Sequence, residues 1–155
     1  MNQILQRLAS VFLYTLPLKA SIPFGNYLFY KYSFLNVIKF IIFPVAIIEE
    51  SLPLGGLLFF LILFAGLVRN PNVPYFVRYN ACKALLIDIA LIIISYLLRI
   101  LSYSSLDQII SLMGSIIFIF TLCIFIYSIS QCIYGVEPEI PLISKSVRMQ
   151  ILKDL

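Results

Sequence analysis

The chain has 155 residues, of which 62% are hydrophobic and 12% charged, with a net charge of +4 and a mean hydropathy of +1.04. A soluble domain is about 45–50% apolar and about 25% charged, and a fold of this size leaves much of its surface exposed. The excess apolar surface must therefore face lipid, which excludes a water-soluble fold and indicates an all-α integral membrane protein. Histidine is absent, and with it the commonest general base and metal ligand. Cys82, Cys123 and Cys132 form no CxxC pair and read as small apolar side chains. The basic residues sit beside apolar runs, so they read as orientation signals in a membrane and not as a nucleic-acid surface.

In chain order, residues 1–31 come first. Their apolar run extends only from Leu8 to Leu18 and ends at Pro17 and Lys19. A run of about 10–14 residues more often lies in an interface than crosses, so Ile4 to Leu18 is predicted to be an interfacial or partly inserted helix, with a full span as the alternative. A small-x-small cleavage site is poor here, and only Met1 to Arg7 precede the run, so neither a signal peptide nor a transit peptide is expected.

A four-helix membrane domain is predicted over residues 32–134. A span needs about 20 apolar residues, with about 17 tolerable. The first candidate, 32–48, carries Lys39 and a kink at Pro44. A tight "EESLP" turn separates it from the second, 52–68, in which Gly55, Gly56, Ala65 and Gly66 would admit a close helix. The third covers 83–101. The fourth covers 109–134, with Ser111 and Ser115 as a small-residue pair on one face. The tail, 135–155, reads as a surface loop and a short helix.

Lys and Arg collect in short loops on the cytoplasmic side or its organellar equivalent. With four spans, Arg7, Lys19, Lys31, Arg69, Arg78, Lys83, Lys145, Arg148 and Lys153 all fall on one side, against Arg99 alone beside the Ser102–Gln108 loop on the other. Both termini should then share the inner side, with Glu49 and Glu50 in the opposite turn. In the central loop, "NPNVP" is turn chemistry, and Tyr75, Phe76 and Tyr79 suit the depth where aromatic rings settle.

Orientation does not explain Asp88. It lies roughly 7–8 Å beyond Lys83 along a helix, inside the apolar layer or at its edge. An aspartate at the membrane centre costs about 2.5–3.5 kcal/mol. Ala81, Ser95 and Arg99 fall within about 20° of it around the helix axis, so this stripe should face other helices or a hydrated path. Arg69 or Arg78 is the expected ion-pair partner, because Arg99 is about 16 Å away. A structural ion pair and a polar pathway are both open readings. No Walker loop, GxGxxG, HExxH or GxSxG motif occurs, and no residue is assigned to catalysis, a cofactor or a metal.

Several stretches resemble the twenty-kilodalton Tic family, the membrane subunit of the translocon at the inner envelope of chloroplasts, and in particular its plastid-encoded algal members. They are "RLASVFLYTLPL", "IPFGNYLFYKYSFL", "LFAGLVRNPNVPYFVRYNACKALLIDI" and "CIFIYSISQCIYG" followed by "IPLIS". The third carries most of the likeness, through Arg69, Asn70, Phe76, Val77, Arg78, Tyr79, Asn80, Ala81, Asp88 and Ile89. Cys82-Lys83 replaces the family's usual Met-Gln. The resemblance implies four membrane helices in the plastid inner envelope, with both termini stromal. It also implies a part in a channel for preproteins, other Tic subunits as partners, and no cofactor or enzyme activity. Homo-oligomers would suit so small a helix set. A non-conducting assembly scaffold and a small-solute or ion transporter are the alternatives. The polar cluster to examine is Arg69, Asn70, Arg78, Asn80, Asp88, Ser95 and Arg99.

Overall fold

A computed structural model describes residues 2–102, 107–140 and 143–152. The described residues are helical, with no strand among them. The helices are α1 (Gln3–Leu13), α2 (Thr15–Ser21), α3 (Asn26–Lys31), α4 (Val37–Glu50), α5 (Gly56–Leu63), α6 (Tyr75–Leu101), α7 (Asp107–Tyr134) and α8 (Ile143–Leu152). Most of the Ser102–Gln108 loop, and Lys153, lie outside the described residues.

Among the described residues, three stretches are long and apolar enough to cross a membrane: Gln3–Lys31, Tyr75–Leu101 and Gln108–Tyr134. The first differs from expectation. Its helix does not stop at Pro17, because α1 and α2 meet at Tyr14 and a 3-10 turn at Ile22–Gly25 carries the chain into α3. Far from being peripheral, its inner face is core. Tyr14 and Leu18 are fully buried, and Leu13 and Leu16 nearly so. The apolar run looked too short because Lys19 interrupts it; an ion pair takes up that charge.

The predicted 32–48 and 52–68 spans also come out differently. Ser33–Asn36 form a 3-10 turn, and α4 has only 14 residues, about 21 Å. The helix continues through Pro44. α5 begins at Gly56 and continues through a widened π-type turn, Phe64–Val68, closed by Arg69 N donating to Phe64 O at 3.0 Å. Together these 13 residues reach about 20 Å. A bilayer core is about 30 Å thick, so neither piece traverses one alone.

Side-chain contacts set the register of the bundle. Lys19 faces Glu49, and Lys39 lies over the Phe29 ring, so α4 runs antiparallel to the second half of the N-terminal segment. Arg78 Nε donates to Val68 O, so α5 runs antiparallel to the start of α6. Tyr14 and Asn80 meet, as do Arg7 and the Ile133 carbonyl, which sets α1 parallel to α6 and antiparallel to α7. Gln3, Val68, Tyr75 and Tyr134 therefore gather at one end, the near end. Lys31, Val37, Leu101 and Asp107 lie toward the far end. α4 descends from the far end, α5 continues to the near end, and the break between them lies level with Asp88.

Two close approaches support the far half. A Cβ at Gly25 would lie 2.9 Å from the Phe118 ring, and one at Gly114 would lie 3.0 Å from Phe24 O. Ala65 and Gly66, singled out in the 52–68 stretch, do not behave this way. Ala65 is exposed, and a Cβ at Gly66 would meet nothing within 4 Å. Ser111 is exposed as well, and Ser115 donates back to its carbonyl within α7.

Candidate functional site: a charged cavity at a helix break

The start of α6 is built from the turn before it. Asn70 Oδ1 accepts the Asn72 backbone N–H at 3.0 Å, an Asx turn of the kind Asn forms readily. Pro74, extended, then offers its carbonyl to Val77 and Arg78. The role of Asn70 is thus to shape the turn. Arg69 is exposed beside it.

The next turns of α6 carry side chains that are polar yet buried. Asn80, fully buried, accepts from Tyr14 Oη at 3.0 Å and donates to Phe76 O at 2.8 Å and to Ser10 Oγ at 3.4 Å. Cys132 Sγ donates to Asn80 Oδ1 at 3.6 Å. One amide therefore ties α1, α6 and α7 together. Lys83, also fully buried, donates to Pro138 O and to Tyr79 Oη, and lies over the Tyr79 ring. Lys83 and Arg78 were expected to be orientation charges in water. Instead Lys83 pins the returning tail, and Arg78 caps the Val68 carbonyl at 2.9 Å. Tyr79 was expected at the headgroup level and is wholly buried. The sequence shows no period that separates these charges from solvated ones, because the carbonyls that engage them lie outside the helix, at Val68 and Pro138.

Asp88 does not pair with either predicted arginine. Arg78 is ten residues back, about 15 Å along the axis, and its Nε is already engaged at Val68. Asp88 instead lines a cavity of about 590 Å³ between α2, the end of α4, α5 and α6, with Lys19, Glu49, Ser95 and Arg99. Lys19 Nζ and Glu49 Oε2 are 2.5 Å apart, and both side chains are about a quarter exposed. Of the sequence stripe, Asp88, Ser95 and Arg99 share the cavity wall. Ala81 does not belong to it and is buried in the core nearer the Tyr75 end. Lys19 and Glu49, which complete the charge set, escaped the sequence reading because they lie 30 residues apart and were assigned to opposite membrane faces.

The rest of the cavity wall is apolar, including Leu16, Phe59, Leu85 and Ile92. Such a space holds water or a polar side chain beside its charges and an apolar one elsewhere. Asp88 lies midway along α6, 13 residues from each end. The charged end of the cavity therefore sits well inside the bundle.

The family model described as "Chloroplast import apparatus Tic20-like" matches residues 3–147. A Tic20 family protein of Synechocystis sp. is 32% identical over 97 residues, covering 60% of this chain and 61% of that protein. Protein TIC 20-II, chloroplastic, of Arabidopsis thaliana is 34% identical over 96 residues, or 62% of this chain and 46% of that one. Protein TIC 20-v, chloroplastic, from the same plant, is 32% identical over 150 residues, 94% of this chain and 71% of its own length. The matched region thus spans less than two thirds of the first two relatives. Residues 3–147, which the family model matches, take in the helices that build the Asn80 cluster and the Asp88 cavity, and the chain belongs to the Tic20 family.

Proposed function

We propose that the protein is a membrane component of the chloroplast inner-envelope import translocon, and that the Asp88 cavity forms part of the route a preprotein follows. Family membership and the chloroplast import description of the matching model support the setting. The observation that carries the route is a cavity inside the bundle that gathers Lys19, Glu49, Asp88 and Arg99. Intramembrane carboxylates face protein or water-filled paths because lipid cannot solvate them.

In this reading the chain crosses four times. Gln3–Lys31, α4 followed end to end by α5, α6 and α7 are the four crossings, and both termini are stromal. The distribution of charge supports that orientation. Arg7, Arg69, Arg78, Lys83, Lys145 and Arg148 collect toward the near end, against Lys31, Lys39 and Arg99 toward the far end. A cavity of about 590 Å³ is the size of a small-molecule pocket. A polypeptide needs more room, so other Tic subunits or further copies of this chain complete the route.

Photocrosslinkers placed at Ser95 and Ile92 test this reading. Adducts with an arrested preprotein are the expected result. Silence there, while neighbouring translocon subunits do crosslink, would refute it. Asp88→Asn should slow import without lowering the amount of assembled complex. A scaffold would instead lose complex and import in proportion. The transporter reading would call for inverted repeats, and the sequence shows no internal repeat.

A further inference from the structure

The break between α4 and α5 is built differently from an ordinary loop. Leu54 has φ +66°, a left-handed conformation that a leucine rarely adopts, and Gly55 follows at φ +50°. The Glu49 carboxylate reaches across the break to the start of α5, and a Cβ on Gly56 would lie 2.7 Å from Glu49 Oε1. The same carboxylate holds Lys19 of α2. Glu49 therefore ties α2 to the end of α4, with its carboxylate set against the first turn of α5.

The opposite end of α5 is anchored as well. The close backbone packing of this segment on α6 belongs to the Phe64–Val68 turn, whereas the body of α5 makes no such seat and faces α6 across the cavity. Phe59 is the one side chain of the α5 body that is buried. Leu57, Leu61 and Ile62 point outward and are at least half exposed. The body is thus a short lever. It is held at its base by Val68 on Arg78, and its tip abuts the Glu49 carboxylate that Lys19 holds in place, with the cavity behind it and lipid in front.

We propose that α5 is a movable wall that swings outward about Leu54–Gly55 and the Phe64–Val68 turn, opening the Asp88 cavity sideways to the bilayer, and that the Lys19–Glu49 ion pair latches it shut. This proposal rests on the membrane-spanning reading above but not on what passes through the cavity. The hinge positions are those where backbone change is cheapest: two residues already at positive φ, and a π-type turn, which is a common site of helix adjustment. Outward motion also meets little resistance, since Gly66 has open space around it.

The test uses the full chain in lipid nanodiscs, with Cys123 replaced by Ser and spin labels at Ile62 on α5 and Ile93 on α6. A second pair, Ile93 and Ile126, reports the fixed α6–α7 frame. The wild type should show one dominant 62–93 distance and a minor longer one. Glu49→Gln and Lys19→Gln break the latch from either side. Each should raise the longer population about fivefold, the effect of losing a partly exposed ion pair, with the 93–126 distance unchanged. Gly56→Ala, whose methyl displaces the Glu49 carboxylate, should do the same. An unchanged 62–93 distance in these variants overturns the proposal, as does broadening of both pairs together, which would report loss of the fold. Crosslinking from Ser95 and Ile92 is read separately, so a failed gate and a failed route are distinguishable.

Discussion

Asn80 shows how much a single amide can hold. It satisfies Tyr14 and Ser10 from α1–α2, Phe76 from its own helix and Cys132 from α7. Removing a buried partner leaves its neighbours unsatisfied, which costs about 1–3 kcal/mol. Asn80→Ala should lose about that much in reversible unfolding measured in detergent. Tyr14→Phe removes one donor only and should cost about 0.6 kcal/mol, the average for a hydrogen bond between membrane helices. If the two variants lose the same amount, Asn80 is not the hub. Lys83 acts on the tail in a similar way. Lys83→Met keeps the apolar stem and loses the charged donor to Pro138. Limited proteolysis should then cut the chain after Pro138 about tenfold faster, since hydrogen bonds from charged groups are worth about 1.5–3 kcal/mol. The sequence showed that Asn80 and Lys83 lie in an informative stretch. It could not show their partners, which come from segments 52–70 residues away.

Glycines separate the packed elements from the free ones. At Gly114 a new Cβ meets the Phe24 backbone, which cannot rotate away. Gly114→Val should therefore cost about 1–3 kcal/mol through overpacking. At Gly66 there is open space, so Gly66→Ala should leave stability unchanged or raise it slightly. Thermal unfolding of the two variants side by side checks this, and equal losses would mean that α5 packs against something the bundle does not show. Composition alone singled out Gly66 as a place for a close helix and passed over Gly114. A small-residue pattern marks where helices are able to approach, and only the partner's position decides whether they do. The lengths of α6 and α7 were more legible, since unbroken apolar runs of this size have few alternatives. α6 simply starts eight residues earlier than predicted, because Pro74 and the Asn70 turn launch the helix before the apolar run begins.

Over the whole molecule, the proposed topology makes a concrete prediction. Cysteines introduced one at a time at Arg7 and Lys145 should react with a membrane-impermeant thiol reagent from one side, and a cysteine at Lys31 from the other. One at Glu50, by contrast, should be protected from both sides relative to these. Strong labelling of residue 50 from one side, with residues 7 and 31 both labelled from the other, would restore the arrangement of separate spans at 32–48 and 52–68. The membrane class, the all-helical character, the two long later helices and the family were readable from the chain itself. Each depends on local composition or on a contiguous motif, and hydropathy and spacing survive without a fold. The Asp88, Ser95 and Arg99 stripe was readable for the same reason, as helical geometry places residues on one strand of chain. Tertiary structure alone decided that the N-terminal segment is core, that α4 and α5 are two half-length pieces meeting beside Asp88, and that Lys19 with Glu49 supplies the charge there. Those facts depend on which segments lie side by side. A charged residue in an apolar run looks the same in sequence whether it reaches for water or for a partner 30 residues away.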